Sequence, residues 1–371
     1  MLLAPSALKG SFTARAAARA MATGLSGRAH TRSLPVADGG DGTAAVLARA
    51  LGGRPVTVRA ADALGIPRRA LAFRLTPAGG AVDLAGVCGI RRLWRTGRPP
   101  DPLGAGTRGL GEALLALARA VPAGPLYVGL GGSASTDGGA GLLAALGGRL
   151  LDRRGQPLPP GGAALKGLAR IDLRGVDPAL VARLVPLADV SSPLLGPLGA
   201  AASFAPQKGA DADAVRCLEE GLERLREAAE RDLGVPPALA QAFGAGAAGG
   251  TGYAFLLLGA PPRPGAATVL DLVHFDAALT GVAAVLAAEG RLDATSLSGK
   301  APVAAARRAR AAGVPAAVVC ARAQPEAARR LEGEGIVVAV AAPPGGRAGA
   351  ADLGRAAARA LARLLPAFGY S

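Results

Sequence analysis

A chain of 371 residues, half of them apolar and a fifth charged, is long enough for two or three domains and a large buried core. Lys and Arg total 42 against 27 Asp and Glu, a net charge of +15 that would ordinarily raise nucleic acid as a partner. Aromatics, however, are only 3% of residues and no run of five basic residues occurs, so nucleic acid is set aside. The arginines are spread along helical stretches such as "ARAAARAMATGL", and such a balance suits an enzyme that handles carboxylates or phosphates.

The first fifty residues read strand, loop, helix, twice over: "MLLAP", "SALKGSF", "TARAAARAMATGL", then "TRSLPVA", "DGGDG", "TAAVLARAL". That alternation predicts a parallel sheet with crossover helices, the helices starting at Ser11 or Thr13 and at Thr43. Residues 55–100 change to short strand-like pieces, "RPVTVRAA", "RALAFRLT" and "AVDLAGV", followed by a helix near 106–120. "LYVGLGGSASTDGGAGLLAALGG" then runs from an apolar strand through glycines and a polar knot into a helix. Bare backbone at such a corner admits an anion, although a tight turn alone would also need those glycines. Further on come the strand "VPLADV", the loop "SSPLLGPLGAAASFAPQKG" and a charged helix near 211–231. From 268 the alternation returns: strand "AAVLAA", loop "EGRLDATSLSGK", helix "APVAAARRARAAG", strand "PAAVVCA", helix "QPEAARRLEGEG", strand "IVVAVAA", and a last helix "AADLGRAAARALARLL". The expected fold class is α/β. Residues 1–59 and 269–371 would form a doubly wound, Rossmann-like parallel-sheet domain, with 60–268 inserted as a second α/β domain.

Cys88, Cys217 and Cys320 are scattered and in no metal-ligand spacing. The opening apolar run is too short for a signal peptide, and both observations point to a reducing cytoplasm. The longest uncharged stretch, Leu233 to Pro262, is broken by Pro236, Pro237 and many glycines, so no membrane span is expected. Asparagine is absent, and lysine occurs only at 9, 166, 208 and 300, each time beside a glycine. In a chain that otherwise chooses arginine, a lysine marks a place for a compact ammonium.

Three polar loops follow predicted strands of the outer domain: "APSALKGS", "ADGGDGT" and "EGRLDATSLSGK". Ligands of open α/β sheets bind at that edge. The cations and carboxylates of these loops suit an acidic substrate and a bound Mg2+, though "DGGDG" is also good turn chemistry and Arg291 with Asp293 a plausible surface pair. "GLGGSA" also fits a dinucleotide fingerprint, with Asp152 some twenty residues on, but "STDGG" delays the helix that such a fingerprint should start. No Walker A sequence is present, and neither His30 nor His274 sits in a motif, leaving general-base work to Asp189 or Asp293.

Collinear motifs across nearly the whole chain resemble those of the type 1 bacterial glycerate kinases. "APSALKGS" is similar to that family's "APDSFKGS", "VADGGDGT" to "MADGGEGT", and "GLGGSASTDGGAGLL" to "GIGGSATNDGGAGML". "ADVSSPLLGPLGA" with "FAPQKGA", "FGAGAAGGTG" and "EGRLDATSLSGKAP" match three further family motifs. The resemblance implies ATP- and Mg2+-dependent phosphorylation of D-glycerate to 2-phosphoglycerate, with 3-phosphoglycerate open as the alternative product. Matched residue by residue and sorted by charge, Lys9, Asp189, Arg291 and Asp293 are the expected catalytic groups. Gly131, Gly132, Ser133, Asp137, Lys208 and Lys300 are expected at the ATP, Ser11, Asp38, Asp41 and Glu289 at the substrate, and Asp189 and Glu289 at the metal. The chain departs from the family at Ser6, Ala7, Thr136, Ser192, Ala288 and Thr295. Those departures leave a second reading open, an impaired or substrate-altered relative that binds nucleotide or acidic metabolites, with a dehydrogenase a distant third.

Overall fold

Short aliphatic runs without polar alternation favour strands that are buried on both faces. In the computed structural model, which describes residues 1–8, 11–76, 79–342 and 348–364, the chain folds as two compact units. One comprises Met1–Asp38 and Gly265–Ser371, the other Gly39–Pro264. Lys9 lies outside the described residues.

The first unit carries a five-stranded, wholly parallel sheet in the order Val337–Val340, Ala316–Ala323, Val285–Leu292, Leu2–Pro5, Arg32–Ser33. Leu286, Ala288, Ala317 and Val319 pack in one cluster with the helices Ala14–Gly24 and Ala350–Leu364. The alternating neighbours Val285, Ala287, Ala316 and Val318 are equally buried, and the helix Ala301–Ala311 packs against the same two strands. The helices Ala14–Gly24 and Ala350–Leu364 meet backbone to backbone: a β-carbon on Gly24 would lie 2.2 Å from the Gly354 carbonyl oxygen. The first of them starts at Thr13, whose hydroxyl accepts the Ala16 amide. Strand order reverses between Leu2–Pro5 and Val285–Leu292, a topological switch point, the kind of place where open α/β sheets bind ligands.

The second unit is built on a six-stranded sheet in the order Arg263–Pro264, Leu184–Ala188, Leu126–Gly129, Gly80–Asp83, Pro67–Arg74, Arg54–Ala61. The first four are parallel, and the last two add an antiparallel hairpin at the edge. A separate two-stranded ribbon joins Arg149–Leu151 to Arg170–Asp172. The 22-residue helix Ala212–Leu233 is capped by Asp211 at its start and ended by Gly234 in the left-handed region.

Three expectations are corrected. The division falls at 38/39 and 264/265 rather than 59/60 and 268/269, because the helix Thr43–Ala50 is anchored on Asp83 and the strand Arg54–Ala61 pairs along its length with Pro67–Arg74. "AVDLAGV" is a strand only to Asp83 and then becomes the short helix Leu84–Cys88. "EGRL", expected in a loop, completes a strand: Arg291 and Leu292 pair with Arg322 and Ala323, and Leu292 is fully buried.

Candidate active site

In the first unit, a polar cluster forms where the strand Val285–Leu292 ends. Asp293 caps the short helix Ala294–Leu297 with a reciprocal capping box. Its Oδ1 accepts the Thr295 amide at 3.0 Å, the Thr295 hydroxyl at 2.5 Å and the Ser296 amide at 3.2 Å, while the Ser296 hydroxyl accepts the Asp293 amide. That same hydroxyl donates to Glu289 Oε2 at 2.8 Å, so the fully buried Ser296 ties the two carboxylates into one network. Glu289 is 4% exposed and its other oxygen, Oε1, is buried with no hydrogen-bond partner among the described residues. Burial pushes its carboxyl up to about 7 against the opposing pull of Ser296 and Lys300, with the charges of Asp293 and Asp38 adding to the rise. Asp293 moves the other way: burial raises it, but Thr295, Lys300 and the two helix amides together outweigh that and hold it low. Lys300 Nζ stands 4.0 Å from Asp293 and Arg291 Nε 3.6 Å, the arginine side chain largely exposed.

In the second unit, Asp83, Gly129 and Ala188 end three adjacent parallel strands on one edge. Asp83 is 9% exposed, and its two oxygens accept the Gly42 amide and the Ala44 amide, each at 2.9 Å. Burial nonetheless pushes its carboxyl up to about 7. Two glycine loops therefore lie together: the Gly131 amide donates to the Gly39 carbonyl, and a β-carbon on Gly131 would fall 2.6 Å from the Gly40 α-carbon. Asp83→Ala strands two amides at a helix start, and an expected loss of about 2 kcal/mol is read by urea denaturation.

Beyond Gly131 the chain turns through Gly132, in the left-handed region, to buried Ser133, Ser135, Thr136 and Asp137. The Gly132 and Ser133 amides donate to no other group among the described residues. Ser133 Oγ is engaged inside the corner with the Ser135 amide and hydroxyl, each at 3.0 Å. Asp137 is buried, and its oxygens accept Thr107 N and Oγ1, Gly139 N and Gly141 N. Lys208 is 3% exposed and donates to the Ser135 carbonyl. A run of left-handed residues, Ala248 to Gly250, packs on the same corner: the Gly249 carbonyl accepts the Gly138 amide, and a β-carbon on Gly249 would lie 2.2 Å from Ser135 O.

The structure thus gathers Glu289, Arg291, Asp293 and Lys300 in the first unit, with Asp38 in electrostatic reach of Glu289. Ser11 is exposed before the first helix. In the second unit Gly131, Gly132 and Ser133 form the corner, while Asp137 and Lys208, expected beside a nucleotide, are spent beneath it on protein groups. Asp41 makes an exposed 3.9 Å pair with Arg91, and Asp189 is exposed just past Ala188. Asp83, Thr107 and Ser296 were not foreseen. The spacing "DATS" right after a strand is a capping signature that could have flagged Ser296. No group of three or more His, Cys, Asp or Glu able to hold a metal occurs among the described residues.

The glycerate kinase family model matches residues 1–365. The chain belongs to the glycerate kinase family. It is 40% identical over 322 residues to the glycerate kinase of Bacillus subtilis (strain 168), covering 85% of this chain and 83% of the relative. The glycerate 2-kinase of Escherichia coli (strain K12) is 34% identical over 319 residues, covering 84% and 82%. A crystal structure from Salmonella typhimurium LT2, described as a candidate glycerate kinase 2, superposes with a TM-score of 0.79 at 31% identity, covering 99% of this chain and 98% of that one. As a glycerate kinase family member the chain is a kinase, and among its described residues no helix is long and apolar enough to cross a membrane.

Proposed function

We propose that this glycerate kinase family member transfers the γ-phosphoryl group of ATP to D-glycerate, forming 2-phosphoglycerate in a reducing cytoplasm. The buried Oε1 of Glu289 at the switch point, without a hydrogen-bond partner among the described residues, carries the reading. A carboxylate oxygen denied both water and a donor is costly to bury unless something binds there. A hard oxygen ligand fits Mg2+, which commonly takes one or two protein carboxylates and fills its shell with water and phosphate. Glu289 is the group of the first unit that would hold it, and when bound it would supply neutralising charge on the phosphates.

The chain's own residues do the rest. Phosphoryl transfer runs through a loose transition state, so positioning and charge dominate. The amides of Gly132 and Ser133, which donate to no group among the described residues, receive phosphate oxygens. Lys300 and Arg291, held by Asp293, meet the anionic groups of substrate and nucleotide, with Ser11 and Asp38 in the substrate set and Lys9 the further catalytic cation. Asp293 is committed to its helix cap, and Asp189, matched to the family motif, is the proposed acceptor of the hydroxyl proton. The departures at Ser6 and Thr295 are absorbed locally: Ser6 Oγ donates to the Ala288 carbonyl and Thr295 Oγ1 to Asp293. Free cysteines at 88, 217 and 320 accord with a reducing compartment. The name of the Escherichia coli relative supports the 2-position.

The deciding experiment is ADP release from MgATP with and without D-glycerate, with the product identified by phosphorus NMR. Glycerate-dependent turnover, abolished by Lys9→Ala and lowered at least a hundredfold by Asp293→Asn, is expected. MgATP binding without turnover would instead establish the impaired relative.

A further inference from the structure

Lys208 is a buried lysine without a carboxylate among its hydrogen-bond partners, an uncommon state for this residue type. Its ammonium donates to the Ser135 carbonyl at 2.5 Å and to the Thr136 hydroxyl at 3.4 Å, directly behind the glycine corner. The position is crowded from the far side, where a β-carbon on Gly249 would stand 3.0 Å from Nζ. The carbonyl and amide of one trans peptide point in opposite directions. Pinning the Ser135 carbonyl onto Lys208 therefore turns the Thr136 amide away from it, and that amide donates to no other group among the described residues.

We infer that Lys208 is a positioning residue for the nucleotide's phosphates, one that never touches them but holds the corner's backbone and sets a positive charge behind it. The inference rests on the proposed reading of the corner as a phosphate site and changes the role of Lys208 from ligand to support. Asp137 is the charged group that faces it, and that carboxylate's oxygens are already taken by Thr107, Gly139 and Gly141. Burial drives the Lys208 ammonium down to about 7, partly offset by Asp137. An anion arriving on the corner favours the charged form, so binding draws in a proton.

The test is calorimetric titration of the full chain with MgATP at pH 8 in buffers of different ionisation enthalpy, for wild type and Lys208→Met. Wild type should take up protons on binding. The methionine variant should take up none and bind MgATP at least tenfold more weakly, with the KM for D-glycerate within twofold. Fold stability supplies a readout of opposite sign. A lysine whose pKa is lowered by folding adds stability as pH rises from about 7 towards its ordinary 10.5. Between pH 7 and 9.5 the wild type's Tm should therefore gain on that of the variant, while its advantage in MgATP affinity shrinks. MgATP binding without proton uptake, or a variant that loses both substrates in step with its stability, overturns the inference and leaves the kinase reading intact. A wild type that binds no MgATP overturns both. Should the variant not fold, proton uptake by the wild type decides alone.

Discussion

Glu289→Gln is expected to lower glycerate-dependent ADP release at least a hundredfold and, in the same protein, to raise its stability at pH 8. The two effects share one cause. Folding places this carboxylate where it is 4% exposed and leaves one oxygen without a partner among the described residues, so the anion is held at a cost that a bound cation would relieve. With the carboxyl raised from its ordinary 4.5 to about 7, its favourable contribution is whole below 4.5 and is lost as pH climbs through 7. At pH 8 glutamine removes the buried charge but leaves an unpaired amide, for a net gain of about 1 kcal/mol. That gain should shrink as the pH falls towards 4.5. Thermal melts at pH 5 and pH 8 check the sign, and steady-state assays the activity. A variant that loses activity and stability together would show Glu289 to be structural.

Asp137→Ala is expected to cost about 3–5 kcal/mol, the largest stability loss of any single change considered, and to abolish activity by loosening the corner. The carboxylate takes Thr107 N at 2.9 Å, Thr107 Oγ1 at 2.8 Å, Gly141 N at 3.1 Å and Gly139 N at 3.3 Å, and alanine strands all four donors in the interior. Asp137→Asn keeps one acceptor oxygen for the three donors that share Oδ2 and should lose roughly half as much. Chemical denaturation of the two variants beside wild type measures the difference. Equal losses would mean that the carboxylate's charge, not its hydrogen bonds, holds the corner.

The glycine motifs and the strand-to-loop junctions could be read from sequence because they are local: glycines in a row after an apolar run have few other uses. Strand Val285–Leu292 runs beyond its apolar part because Glu289 and Arg291, loop-like by residue type, pair with Ala316–Ala323. "LAGV" after Asp83 is helix where the sequence suggests strand, because alanine and glycine carry no period to separate the two. The roles of Asp83, Asp137 and Lys208 depend on partners at positions 42–44, 107 and 135, brought near by folding alone. Charge told which residues were chemically able; burial told which of them were already spent. For Asp137 and Lys208 those two answers differ.

The first unit is closed by chain made at both extremes, and that sets an order of events during synthesis. Strand Leu2–Pro5 pairs with Val285–Leu292 on one side and with only Leu2 and Leu3 against Arg32–Ser33 on the other. The whole of Gly39–Pro264 emerges from the ribosome before that main partner exists. The inserted unit can therefore collapse first, which brings the flanking segments closer than an unfolded chain of that length would and lowers the entropy of closure. Until then "LLAP" presents an unpaired apolar edge, the kind of segment that chaperones shield and aggregates recruit. A ribosome that stalls before Val285 would thus release a protein with one finished unit and one sticky strand.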